Sequence, residues 1–290
     1  MNKKNGNTLY KVFIYVILAL LAISIVVPVG WVFVASIKQN SEFYGNPWTM
    51  PKGFYFQNFI DAFQQAKMGE YMLNSVIVTV VALAILLVVA LPAAYVLARY
   101  KFRGSKACNV MFMAGLFINV NYIVVPIFLM FVGADKFFTK IFGDGFLLNN
   151  LFFVALVYAA TALPFTIYLL SGFFVSIPKD YEEAAFMDGS GYFRTMVSIM
   201  MPMARPSIIT VILFNFLSFW NEYIIAMTLL TGETTTLPVG LMQLMQAQQA
   251  AANYGRLYAG LVIVMLPTLV LYMCVQKKLT EGMSLGGLKG

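Results

Sequence analysis

The run Val76-Ile-Val-Thr79-Val-Val-Ala82-Leu-Ala-Ile85-Leu-Leu-Val-Val-Ala90 contains no charge and no alternation of polar with apolar positions. Extended in both directions it becomes an apolar segment over Met72–Leu97, long enough for a helix to cross a hydrocarbon core about 30 Å thick. Only helices and closed barrels satisfy their own backbone in lipid, and barrel strands alternate with a period of two. The segment therefore reads as a transmembrane helix. Five more apolar runs of this kind occur, at Val12–Ile37, Cys108–Val132, Leu151–Ile177, Ser207–Leu230 and Leu257–Val275. The fold class expected is an all-α membrane protein, a six-helix bundle forming one transmembrane domain over 1–290 with its core at 70–280.

Composition agrees. Of 290 residues, 61% are hydrophobic and 11% charged, against roughly 45–50% and 25% in soluble chains, and the mean hydropathy is +0.80. An aromatic content of 16% is far from that of disordered chains. With no histidine, Ser-His-Asp hydrolysis, Cys-His proteolysis and most zinc chemistry are excluded. The two cysteines, Cys108 and Cys274, stand apart and form no CxxC pair or disulfide framework. Met1-Asn2-Lys3-Lys4 ahead of the first run imitates a secretory signal, but the apolar stretch exceeds the roughly 7–15 residues of a signal core. A retained anchor over 12–37 is expected.

Lysine and arginine set the orientation. One side receives Lys3, Lys4, Lys11, Arg99, Lys101, Arg103, Lys106, Lys179, Arg194, Arg205, Lys277, Lys278 and Lys289. The other receives Lys38, Lys52, Lys67, Lys136, Lys140 and Arg256. Both termini are expected on the cytoplasmic side, and the net charge of +7 then reports topology rather than a nucleic-acid partner. Pro28, Pro92, Pro126, Pro164 and Pro267 lie inside spans, where each tends to kink its helix.

Between the fourth and fifth spans, residues 176–206 are too polar to insert and too patterned for a linker. Pro178 suits the first turn of a helix, and Asp180, Glu182 and Glu183 place negative charge near its N-terminus. Tyr181, Ala184 and Ala185 share a narrow face of small residues, and Gly189 can end the helix in a left-handed conformation. Ser190 is then placed to cap a second short helix with Phe193, Met196, Val197 and Met200 on one face, ended by Pro202. The result expected is a bent docking knob at the cytoplasmic surface.

Glu183-Ala184-Ala185, three residues, Gly189, nine residues, then Ile199-Met-Met201-Pro202 resembles the E-A-A…G…I-x-L-P loop of ABC importer membrane subunits, with Met201 in place of leucine. Asp188-Gly189 matches the D-G common there. Asn74-Ser75, Trp220-Asn221-Glu222-Tyr223, Thr236-Leu-Pro-Val-Gly-Leu241 and Lys278-Leu-Thr-Glu-Gly282 with the closing Gly286–Gly290 are similar to the carbohydrate branch. The tail is similar to the G-type subunit of maltose-class transporters. The resemblance implies a type I ABC importer permease fold with a cytoplasmic coupling helix, in a bacterial inner membrane. Implied partners are an F-type second permease, an ATP-binding cassette ATPase dimer and an extracytoplasmic solute-binding protein, with lipid around the spans. It further implies that Glu183, Ala184, Ala185, Asp188, Gly189, Ile199 and Pro202 couple to the ATPase and transmit motion without catalysing.

The chain is not expected to be an enzyme or to hold a metal or cofactor. It has no G-x-x-x-x-G-K-[ST] phosphate loop, so ATP is expected on the partner. Asn119, Asn121, Asn215, Trp220, Asn221 and Glu222 are polar or amphipathic groups at membrane depth and so candidates for the solute route. Glu222 equally suits the outer interface or a tie between two helices. The aromatics Tyr44, Trp48, Phe54, Tyr55 and Phe56 fit either headgroup depth or contact with a binding protein. Alternatives are an ABC permease for peptides or amino acids, which the ligand of the binding protein would separate, and an ion-coupled secondary transporter, which should show buried charges beyond Glu222. A membrane enzyme lacks the residues to run it.

Overall fold

The computed structural model describes residues 3–44, 46–143, 145–231, 234–251 and 253–287, the side chains of 3–9, 248–251 and 277–287 excepted. The described elements are all helical. In chain order the α-helices are α1 (Lys3–Ser36), α2 (Gln57–Gln64), α3 (Met68–Arg99), α4 (Ser105–Gly115), α5 (Val120–Phe142) and α6 (Leu151–Ser176). Then come α7 (Asp180–Met187), α8 (Tyr192–Thr195), α9 (Met201–Met203), α10 (Arg205–Trp220), α11 (Ile224–Leu229), α12 (Leu237–Ala251) and α13 (Tyr254–Gly287).

Five stretches are long and apolar enough to span: Tyr10–Ser36, Met68–Arg99, Val120–Phe142, Leu151–Ser176 and Tyr254–Gln276. A sixth exists only as a bent pair, Tyr192–Met203 with Arg205–Trp220, meeting at 75°. The third and fifth runs differ from expectation. Cys108–Val132 straddles a break, because Asn119 turns extended (φ −75°, ψ 126°) and caps α5 with its side chain, which accepts the Asn121 N–H at 2.9 Å. The membrane-length helix therefore starts later and runs to Phe142. Ser207–Leu230 is interrupted between Trp220 and Ile224. All five internal prolines, by contrast, lie within continuous helices.

The chain divides into two compact units. In the unit of residues 1–69 and 240–266, the apolar positions of α1 from Tyr10 to Val27 are exposed, apart from half-buried Ile14, whereas Ala35, Ser36 and Lys38 are buried. Lys38 is fully buried, donating from Nζ to the Pro47 and Thr49 carbonyls at 2.8 Å each. The Trp31 and Phe43 rings stand 5.3 and 5.0 Å from that ammonium. Asn58 Nδ2 donates to the Ser36 and Lys38 carbonyls at 2.9 and 2.8 Å, which pins α2 to the end of α1. Glu42 accepts N–H bonds from Gln39 and Lys52. The second unit, residues 70–239 and 267–290, is built on α3, whose Val78, Ala82, Leu86, Ala90 and Ala94 recur every four residues and are buried. Small residues in such a row let helices approach closely where lipid supplies no hydrophobic drive. At Gly115, a Cβ would stand 2.7 Å from Pro164 Cγ, so α4 reaches α6 only because no side chain intervenes.

Replacing Lys38 with methionine takes the donor from the carbonyls of Pro47 and Thr49, two exposed residues, at a cost of about 1 kcal/mol each. Hydrogen exchange of the amides between residues 39 and 56 should then rise while exchange in α6 stays unchanged. The Lys52 N–H bond, the Gln39 N–H and the nearby Lys38 and Lys52 charges hold the Glu42 carboxyl below its usual range, against a smaller opposing effect of burial. A lowered folded pKa stabilises the loop above the ordinary value near 4.3, a contribution lost as pH falls through the lowered value. Glu42→Gln should remove that acid-side rise in exchange.

Candidate coupling segment and solute cavity

The segment between α6 and α10 is a pair of short helices with a left-handed corner. Gly189 has φ +77°, its N–H donates to the Phe186 carbonyl at 3.0 Å, and the Ser190 N–H reaches the Ala185 carbonyl at 2.9 Å. These bonds close α7 in the way the Asp188-Gly189 pair predicts. The second helix differs from expectation: Gly191, not Ser190, takes the N-cap position, without a side-chain cap bond. After α8 the chain makes a π-helical turn, Met196–Met200, before α9. That turn splits the expected apolar face, with Met196 and Met200 buried while Phe193 and Val197 are exposed. The narrow small-residue face of α7 is also split. Ala185 is buried beside Glu182, whereas Tyr181, Glu183, Ala184, Asp188 and Gly189 are exposed. Ile199 is half-buried and Pro202 exposed.

Glu182 anchors α7. It is 8% exposed and accepts from Tyr95 Oη at 2.7 Å, Arg99 Nε at 2.8 Å and Arg99 Nη2 at 2.6 Å. The same guanidinium donates to the carbonyls of Phe174, Ile177 and Pro178 at 3.2, 2.9 and 3.4 Å, taking up acceptors that the end of α6 leaves open. One planar fork thus joins α3, α6 and α7, a task suited to arginine rather than lysine. Rings continue the connection: Phe174–Tyr95, Tyr95–Tyr100, Tyr100–Tyr192 and Tyr192–Phe186 have centroids 5.5, 5.6, 5.8 and 5.1 Å apart.

The two helix interruptions meet the middle of α6. Val120 and Asn121 at the start of α5, Tyr158, Thr161 and Ala162 of α6, and Ser218, Phe219, Glu222 and Ile225 around the α10–α11 break enclose about 220 Å³. Glu222 holds the break by accepting the Ile225 and Ala226 N–H groups at 2.8 and 3.2 Å. Of the six expected path residues, the fold brings Asn121 and Glu222 into this cavity. Asn119 spends its oxygen capping α5, and Asn221 donates back to the Leu217 carbonyl at 2.8 Å. Asn215 is buried between α10 and α6, donating to Thr166 Oγ1 at 3.0 Å and to the Val211 carbonyl at 2.9 Å. Trp220 is buried and stacked on Phe216 at 5.6 Å.

This arrangement, helical spans with a bent segment between the fourth and fifth, has known counterparts. Residues 90–284 match the family described as binding-protein-dependent transport system inner membrane component. The diacetylchitobiose uptake system permease protein NgcG of Streptomyces coelicolor is 36% identical over 94% of this chain and 87% of its own length. The melibiose/raffinose/stachyose import permease protein MelC of Bacillus subtilis is 28% identical over 94% of each. A crystal structure of a bacterial ABC transporter involved in alginate import superposes with a TM-score of 0.77 at 23% identity, covering 94% of this chain and 97% of that one. The chain belongs to the binding-protein-dependent inner membrane transport component family.

It is accordingly a multi-pass, non-catalytic permease subunit of an ABC importer, working with an ATPase, a solute-binding protein and another permease. The Asn74-Ser75 and Thr236–Leu241 segments of the permease are neighbours. Asn74 Nδ2 donates to the Thr235 carbonyl at 2.9 Å, and the Leu237 N–H donates to Ser75 Oγ at 2.8 Å. Glu182, Tyr95 and Arg99 were not legible as a set. Arg99 counts as a topological charge and Glu182 as a helix-end charge, and 83 residues separate them. The closing Leu288, Lys289 and Gly290 lie outside the described residues, as do the side chains of Lys277, Lys278, Gln248 and Gln249.

Asn215 separates a packing role from a path role. Asn215→Leu leaves the Thr166 hydroxyl without this buried donor and should lower the permease's stability by about 1–3 kcal/mol. Thermal unfolding in detergent would read that loss, while the substrate concentration giving half-maximal uptake should stay as in the parent.

Proposed function

We infer that this permease carries a sugar or oligosaccharide. The observation that carries the reading is the polar-sided cavity at two broken spans. Non-helical backbone at membrane depth belongs where it is buried in protein or lines a passage, and discontinuous helices mark solute sites in other transporters. Tyr158, Thr161, Ser218, Asn121 and Glu222 supply an aromatic ring with hydroxyl, amide and carboxylate groups, a set suited to a pyranose with its ring of hydroxyls. Relatives named for diacetylchitobiose and melibiose transport support that class. At about 220 Å³ the cavity falls below the roughly 300–1,000 Å³ of small-molecule sites. It therefore forms one wall, and an F-type second permease supplies the other.

On this reading both termini and the α7–α8 segment face the cytoplasm. The exposed side of α7, with Glu183, Ala184, Asp188 and Gly189, seats in the ATPase, which alone binds ATP. Ile199 and Pro202 shape the return of the chain to the membrane. Tyr192 and Phe193, 69% and 75% exposed, add apolar contact area to the same knob.

In proteoliposomes holding both permeases, the ATPase and the binding protein, ATP should drive uptake of diacetylchitobiose or raffinose and not of di- or tripeptides. Uptake driven by an ion gradient without ATP would overturn the reading. Gly189→Asp meets open space within the chain, and Asp tolerates a left-handed backbone. The strain is at most about 1–2 kcal/mol. The variant should insert and fold, yet fail to retain the ATPase on affinity purification. Glu222→Ala removes the cap of α11 and should depress uptake while leaving ATPase retention intact.

A further inference from the structure

We propose that Arg99 and Tyr95 are positioning residues that make α3 the lever of the coupling segment, so that α3, the end of α6 and α7 move as one body when the ATPase closes. This rests on the docking role of α7 inferred above and identifies where that motion enters the bundle.

The connection of α7 to the membrane helices has two routes. One is the chain itself, Ile177-Pro178-Lys179, three residues outside any helix. A short non-helical link transmits little torque because its dihedrals can turn. The other is lateral, through Glu182. Its carboxylate accepts three bonds from the last turns of α3, and those bonds are shielded, with side-chain exposures of 4% for Arg99 and 10% for Glu182. A buried charge pair held at fixed angles resists displacement, since separating it leaves two desolvated ions. Arg99 also grips three carbonyls at the end of α6, so α7 cannot tilt away from α3 without disturbing α6. The Tyr100–Tyr192 contact ties α8 to the same end of α3.

The far end of α3 is secured as well. Asn74 and Ser75 hold residues 235–237 through two hydrogen bonds, one of them to a fully buried backbone N–H. Over 32 residues α3 extends about 48 Å. A displacement imposed on Glu182 therefore reaches the start of α12 without passing through a flexible loop. The helix row Val78, Ala82, Leu86, Ala90 and Ala94 packs along the way and gives the lever its bearing surface.

The test uses the assembled importer in lipid nanodiscs, with Cys108 and Cys274 replaced by serine and spin labels at Leu73→Cys and Met187→Cys, both exposed positions. The distance between the labels, measured without nucleotide and with ATP trapped by vanadate, reports whether α3 and α7 stay one body. In the parent the two distances should agree. In Glu182→Ala the ATPase should remain bound, because the exposed face of α7 is intact, but trapping should shift the distance by more than one helical turn, about 5.4 Å. Stimulation of ATP hydrolysis by the binding protein should fall roughly tenfold, inside the usual range of coupling energies. If the Glu182→Ala chain itself fails to fold or to pair with the second permease, Glu182→Gln and Arg99→Lys decide. Each keeps part of the bonding and should give an intermediate shift, with Glu182→Asp restoring part of the stimulation.

A parent distance that changes on trapping, or a Glu182→Ala distance that does not, overturns the lever. Loss of the ATPase from Glu182→Ala also overturns it, since Glu182 would then belong to the dock itself. Failure of the docking reading looks different: the Gly189→Asp importer would retain its ATPase, whatever the label distances show.

Discussion

Lipid offers a backbone no hydrogen-bond partner, and this constraint organises the permease. Wherever a span is unbroken, the helix satisfies itself and the sequence need only be apolar. Wherever a span breaks, side chains must take over: Asn119 at the head of α5, Glu222 at the head of α11, Arg99 at the foot of α6. Two of the breaks, with α6 between them, enclose the cavity, so the requirement to satisfy the backbone and the construction of a polar passage are met by the same residues.

The division of roles among similar residues follows. Asn215 and Asn121 are both asparagines at membrane depth. One ties α10 to α6 and is closed off, whereas the other lines open space. Glu182 and Glu183 are adjacent carboxylates on one short helix. One is spent inward on Arg99 and Tyr95, leaving the other exposed on the outer face.

Span number, fold class and the bent segment were legible because each rests on local pattern: long apolar runs, Gly189 after Asp188, and the spacing from Glu183 to Pro202. The interruptions at Asn119 and at 221–223 were not, since averaged hydropathy runs across a single polar residue whose side chain caps a new helix. The faces of α7 and α8 were misassigned for a related reason. A helical wheel assumes 3.6 residues per turn throughout, which the π turn breaks, and hydropathy turns a carboxylate outward, which the bonds from Tyr95 and Arg99 to Glu182 reverse. Lys38 is a comparable case. It counts as a solvated charge outside the membrane, yet the fold buries it against two rings and two carbonyls.

The π turn at Met196–Met200 has a consequence for how this region tolerates insertion and deletion. A wide turn takes up one surplus residue locally, so excising it would restore ordinary winding with the flanking turns facing nearly as before, whereas a deletion from the regular helix that follows would swing everything upstream by about 100°. Tyr192 would then face away from Tyr100, and the corner at Gly189 would aim in another direction. The five-residue turn is thus the place where the chain length between Gly189 and α10 can change by one with least change of aim.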